Sequence, residues 1–283
     1  MTVSTVSGSA TAPRGPDRAP ARRVPAGVVL SFLVIALVVA WSVAPGLFTA
    51  QDPVDGVPAD LFLPPSAEHL FGTDHLGRDL FSRVVHGTSS SVTSALVAVA
   101  IGVLSGGLIG LLAGFLGGLV DVVLARFVDV LLAIPSFLLA VVVVSALGFQ
   151  TINAAIATGI SAVAVFARVM RSEVLKTRSA VYVEAALLLG GSRTHVLLRH
   201  VLPNASRSVL QLAVLHFGLS ILVIAGLAFL GYGDPPPASD WGLLVASGKD
   251  HPMAPWLVWA PALVTIVTVL SVNRISRWLR TTD

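Results

Sequence analysis

An all-α integral membrane protein crossing the bilayer six times is the fold class that this chain predicts. Composition is the first reason: of 283 residues, 55% are hydrophobic and only 12% charged, with a mean hydropathy of +0.87. A soluble domain of ordinary usage carries about a quarter charged residues. Length is the second. Six apolar runs, 26–43, 91–115, 120–147, 152–168, 208–230 and 255–272, can each traverse a hydrocarbon core of roughly 30 Å, which takes about 20 helical residues. The third is the placement of arginine and lysine. Arg14, Arg18, Arg22 and Arg23, the stretch from Arg168 to Arg207, and Arg274, Arg277 and Arg280 fall on one side of these runs. Arg78, Arg83 and Lys249 fall on the other. The positive-inside rule makes the crowded side cytoplasmic, so both termini lie inside the cell and loops 44–90 and 231–253 lie outside.

Residues 1–25, rich in Ser, Pro, Gly and Arg, read as a disordered cytoplasmic N-terminus. The run 26–43 is longer than a signal-peptide core and has no small-residue cleavage site behind it, so it reads as an uncleaved first span. Loop 44–90 carries an amphipathic segment over 71–87. Leu76, Leu80, Phe81, Val84 and Val85 make its apolar face, and Arg78, Asp79, Ser82 and Arg83 its polar one. Asp74–Arg78 and Asp79–Arg83 are acid-to-base pairs at i,i+4, the favourable order. The expectation is a helix lying on the outer membrane surface; a substrate gate or a landing site for a delivery protein is the other reading.

The second span repeats glycine every four residues, at Gly102, Gly106, Gly110, Gly114 and Gly118. Small residues at this spacing let helix backbones approach closely in lipid, so the stripe predicts a tight helix contact. The third span holds Asp121, Arg126 and Asp129. Charges inside a span are costly and tend to be functional. Spacings of five and three let Arg126 reach either acid, a mutual structural pair; lining a pathway is the sharper alternative. His216, in the fifth span, reads as hydrogen-bonded between helices, and His69, His75 and His86 flank the outer segment.

Between the fourth and fifth spans lies "EAALLLGGSRTHVLLRHVLPN", residues 184–204. Ser179 can cap a helix whose Val181, Ala185, Leu188 and Leu189 share one face. Gly190-Gly191 can end it, Ser192 can cap a second helix, and Pro203 can stop that one. This helix-turn-helix is too polar to insert. A docking unit and a plain interfacial loop both fit it.

The run Glu184-Ala185-Ala186 with Gly190 and then Pro203 resembles the EAA motif of bacterial ABC importer permeases. "FGTDHLGRDLFSRVVHG", with Gly72, Thr73, Asp74, Gly77, Arg78, Asp79 and Arg83, resembles the signature of the second permease subunit of dipeptide, oligopeptide and nickel importers. "DVVLARFVDVLLAIPSFLLA" and "FLGYGDPPPASDWG" are similar to that family's third span and external loop. The likeness covers about residues 68–273.

That resemblance implies the type I ABC importer permease fold: a five-helix core over 91–273, a cytoplasmic coupling loop at 169–207 and a tail at 274–283. It implies a multi-pass protein of the bacterial cytoplasmic (inner) membrane. Its partners would be a homologous permease forming a heterodimer, two ATPase subunits and an extracytoplasmic binding protein. Glu184, Ala185, Ala186, Gly190 and Pro203 would form the ATPase-docking surface. No cofactor would be bound by this chain, ATP and Mg sitting on the partners. Di- or oligopeptides would be the cargo, with nickel, glutathione and haem as alternatives. Two departures stand out. The acid that family members often carry before FLG is replaced by Val223-Ile224-Ala225, and Ser276-Arg277 replaces the usual Gly-Asp.

Several classes are set aside by what the chain lacks. It has no cysteine, so neither a disulfide framework nor a thiolate metal site. No Walker-type phosphate loop, HExxH or GxSxG occurs, so the chain is not expected to be an enzyme. A pI near 9.9 reflects arginines flanking apolar spans, not a nucleic-acid surface. A secondary transporter or channel is the alternative class, but its intramembrane carboxylates would be only Asp121 and Asp129, both beside an arginine, and paired broken repeats are not evident.

Overall fold

A computed structural model describes residues 25–280, and the N-terminal arginines at 14–23 fall outside them. Besides two short 3-10 turns, Pro45–Leu47 and Pro58–Asp60, the described residues form nine helices: α1 Ala26–Val43, α2 Leu80–Leu116, α3 Gly118–Ala133, α4 Ser136–Leu147, α5 Thr151–Arg178, α6 Val181–Leu188, α7 Arg193–Tyr232, α8 Trp241–Gly248 and α9 Trp256–Arg280. Five of them, α1, α2, α5, α7 and α9, are long and apolar enough to cross a membrane, and the bent pair α3–α4 makes up to six.

Helix ends follow local chemistry. α1 stops at Ala44, before Pro45, where the α conformation is disfavoured. Asp79 caps α2 by accepting the Ser82 N–H at 2.7 Å. α2 ends at Gly117 and α4 at Gly148, both in the positive-φ region that glycine tolerates. The 120–147 run is not one straight span. Ile134, preceding Pro135, is extended (φ −90°, ψ 127°), and α3 meets α4 at 91°. A window averaged for hydropathy cannot register that break.

α5 sits at the centre, packed by α2, α3, α4 and α7, while α1 lies outside on α2 and α9. The glycine stripe explains the closeness of α2 to α5. A Cβ at Gly102 would strike the Phe166 ring, at Gly106 and Gly110 the Val163 and Ala167 carbonyls, and at Gly114 the Val174 side chain. Gly118 stands apart: it faces open space and has φ +56° in the turn to α3. Tight packing is thus shown for four of the five glycines.

The polar face of 71–87 departs most from expectation. Only its second half is helical, and there it begins α2; residues 72–78 form a turn with Gly72 at φ +76° and Gly77 at φ +72°. Asp74, Arg78, Asp79 and Arg83 are all buried. The i,i+4 pattern fits a helix, but two glycines and the Asp79 cap divert the chain into a folded plug at this end of the bundle.

Candidate functional site

The bundle ends differ in build. At one end, α5 passes through an elbow into α6 and returns through α7. Ser179 closes α5 instead of capping α6: its hydroxyl donates to the Leu175 and Lys176 carbonyls at 3.3 and 3.1 Å. α6 starts on Ala180, whose carbonyl accepts from Val183 and Glu184 at 2.9 and 3.2 Å. It ends where Leu189 N donates to Ala185 O and Gly191 N to Ala186 O, both at 3.0 Å, with Gly190 at φ +86°. Ser192 then caps the next turn through His195 N at 3.3 Å.

Pro203 does not stop that second helix. Leu202 N reaches back five residues to Leu197 O, a π-turn that opens the helix just before the proline ring, and α7 runs on through the bundle to a break at Gly231 (φ +92°). The elbow is therefore the entry to a long helix rather than a separate two-helix unit.

Val183 anchors α6, fully buried against a cluster containing Val174, Val196 and Val201, with Ala186 packed on it. The stripe expected to share one face points away from the bundle: Val181 is 81% exposed, Leu188 88% and Leu189 89%. Glu184, Ala185 and Gly190 are exposed beside it. Glu184 forms no ion pair among the described residues. This is an apolar, singly acidic surface held on the elbow between α5 and α7.

Asp121, Arg126 and Asp129 do not pair with one another. α5 supplies the partners: Arg171 grips Asp121 through Nε and Nη2, the latter at 2.8 Å from Oδ2, and Arg168 Nη2 lies 2.8 Å from Asp129 Oδ1. Five helical residues carry Arg126 about 140° round from Asp121, so it is exposed and belongs to neither pair. Arg178 Nη1 donates to the Gly114 and Phe115 carbonyls, each at 3.2 Å, tying the end of α2 to α5 just before the elbow.

The opposite end is closed by the plug. Asp74 accepts from Arg78 Nε at 2.7 Å and from the Leu76 and Arg78 backbone at 2.8 and 3.1 Å. Burial, the largest influence, opposes ionisation of Asp74, but these bonds together outweigh it and hold the carboxyl below its usual range. Arg83 does not pair with Asp79. It lies 3.7 Å from Asp74 and donates to the Ala238 and Pro53 carbonyls at 3.1 and 3.4 Å. Asp79 is occupied by the cap and by His69 Nδ1 at 3.0 Å. Thr73 bonds Asp60 O and accepts Leu63 N at 2.8 Å, while Trp256 Nε1 donates to Thr73 O at 3.1 Å.

A second tie escaped sequence reading. Asp240 caps α8 by accepting Leu243 N at 3.1 Å, and Asp234 accepts Thr151 N at the same distance. Burial foremost pushes the Asp240 carboxyl above its usual range. Trp241 then inserts into the core, its Nε1 donating to Val84 O at 3.2 Å. An Asp placed just before an apolar run, "SDWGLLVA", was the available signal for α8.

Within the spans, His216 packs on Phe166 at 4.9 Å. At the departure Val223-Ile224-Ala225, a Cβ on Gly242 would strike the Ala225 backbone, so α8 lies flush on α7 there. Ser276 donates to Gln211 O at 3.5 Å. Among the described residues no group of three His, Cys, Asp or Glu is placed to hold a metal ion.

Comparison with known proteins gives these features a context. Residues 106–281 match the family described as binding-protein-dependent transport system inner membrane component. The chain is 36% identical to the probable D,D-dipeptide transport system permease of Escherichia coli K12, over 88% of this chain and 84% of that one. It is 36% identical to the dipeptide transport system permease of Alkalihalophilus pseudofirmus, over 89% and 82%. It is 38% identical to the glutathione transport system permease of Escherichia coli O6:H1, over the same shares. A crystal structure of an amino acid ABC transporter shares the fold, with a TM-score of 0.55 at 17% identity, covering 71% of this chain and 94% of that one. The chain is a multi-pass membrane protein and belongs to the family of binding-protein-dependent transport system inner membrane components, with the permease fold of ABC importers.

Proposed function

We propose that this chain is one permease subunit of an ATP-driven importer and couples to separate ATPase subunits through α6. A homologous permease would complete the translocation path as a heterodimer, two ATPase subunits would hold ATP and Mg, and an extracytoplasmic binding protein would deliver solute. Di- or oligopeptides are the proposed cargo, in keeping with the names of the dipeptide and glutathione relatives. α6 faces the cytoplasm with both termini, and the plug faces outside, following the arginine asymmetry.

One observation carries this reading. α6 leaves Val181, Leu188 and Leu189 almost wholly exposed while fixing its backbone between α5 and α7, both of which run through the bundle. Burying one such side chain is worth about 1.5–3 kcal/mol. A partner that covers the patch in only one of its states would therefore bias the position of both helices.

Co-purification from mild detergent, with the genes flanking this one expressed together, tests the proposal. A second permease and ATPase subunits should be recovered with ATP hydrolysis, and Glu184→Lys should remove solute-stimulated hydrolysis while this chain stays inserted. A solitary chain under gentle extraction, or full activity with Glu184→Lys, contradicts it.

A further inference from the structure

At the plug end, three rings join two separate segments of chain. Phe62 packs on His251 with ring centroids 5.0 Å apart. His251 in turn stacks on His75 at 5.2 Å, with the planes inclined by only 20°. Phe62 and His75 belong to the stretch between α1 and α2, whereas His251 sits in the turn between α8 and α9. That turn is itself ordered: His251 N donates to Gly248 O at 3.1 Å, and Ala254 N to His251 O at 3.0 Å. Both imidazoles are half-buried.

Phe62 adds a second observation. It has φ +53°, and among the described residues no other non-glycine has positive φ. A left-handed conformation is costly for an ordinary residue, because its Cβ crowds the following carbonyl oxygen. The Phe62 N–H to Asp74 O bond at 3.2 Å, the Thr73 bonds to Asp60 and Leu63 on either side, and the ring contact with His251 restrain it. Separation of the rings would remove one of those restraints.

We propose that the His75–His251 stack is a proton-sensitive clasp between the plug and the α8–α9 turn, closed while both rings are neutral and released when they are protonated. Neutral imidazoles stack at this separation, whereas two imidazoliums would place like charges 5.2 Å apart in a half-buried site. The surroundings of His75, burial foremost, favour its neutral state. Burial is the largest influence on His75 and lowers its pKa below the usual 6.5; Arg78, His251 and Arg83 push the same way, and Asp74 opposes them. On the turn, Lys249 lies over the Phe229 ring at 5.3 Å, and Asp250 precedes His251 in the chain. A histidine with a lowered folded pKa contributes stability that is complete above 6.5 and lost as pH falls through the folded value. Release therefore belongs to the acid side of 6.5. The clasp is a property of the folded chain and stands apart from the role given to α6.

Hydrogen–deuterium exchange on the full-length chain in lipid nanodiscs, between about pH 7.5 and 5 and corrected for the chemical exchange rate, tests the clasp. Peptides covering 60–63 and 249–254 should lose protection several-fold on the acid side, while those within α5 keep theirs. His75→Phe and His251→Phe retain a ring that takes no proton, so each should keep the neutral-pH protection and lose the acid step. A step that persists in both variants, or a flat wild-type profile, overturns the proposal. Histidine ring NMR on the wild-type chain gives a check free of variants: His75 should titrate below 6.5, and a value at or above it contradicts the clasp.

Discussion

At Asp74 a single carboxylate gathers two backbone N–H groups and the Arg78 guanidinium, with Arg83 next to it, all buried. Removing one member of a buried charge group strands the others and costs about 3–5 kcal/mol. Asp74→Asn should lower the thermal unfolding temperature of the detergent-solubilised chain and open the 44–79 stretch to protease. The same group predicts an acid limit. Because the folded pKa of Asp74 is lowered, its contribution is complete above the ordinary 3.8 and is lost as pH falls through the folded value. Protease protection of this stretch should therefore have an Asp74-dependent loss below 3.8, absent from Asp74→Asn. Residue identities here were legible in advance, since the Asp74–Arg78 pair follows from spacing alone. Their setting was not. A four-residue spacing serves a helix and a tight turn equally, and the positive φ of Gly72 and Gly77 decided between them. Arg126 shows the converse: spacing permitted its pairing with Asp121 or Asp129, but Arg171 and Arg168 come from another helix, which no local pattern encodes.

Among the elements, α2 and α5 give the clearest link from sequence to packing. Glycine at every fourth position removes the side chains that would keep two backbones apart, and the Val163 and Ala167 carbonyls occupy the space. Gly106→Ala, whose Cβ would strike the Val163 carbonyl, should force α2 off α5 at a cost of about 1–3 kcal/mol, seen as a lower unfolding temperature. Gly107→Ala is the control, because a Cβ there meets only the flexible Met170 tip at 3.6 Å. Equal losses in the two variants would mean that the stripe is not what sets the contact. Hydropathy located the long helices because twenty or so apolar residues leave few other options in lipid. It missed the 91° bend at Ile134-Pro135 and the continuity of α7 through Pro203. Both turn on backbone hydrogen bonding near a proline, broken by an extended residue in one case and rescued by a π-turn in the other.

For the whole molecule, the two ends of the bundle carry opposite designs. The plug end buries Asp74, Arg78, Asp79 and Arg83 and ties 51–84, 151, 234–241 and 256 together by side-chain bonds. The elbow end leaves leucines uncovered on a short helix joined to two spanning ones. The first is suited to holding one arrangement, and the second to receiving a force from a partner. The most direct test of that account is photo-crosslinking from position 188, 88% exposed on α6, in the assembled complex during ATP-driven uptake. The account predicts a crosslink to the ATPase subunit whose yield changes with the nucleotide bound. An importer that works at full rate while position 188 crosslinks to no ATPase subunit would contradict it.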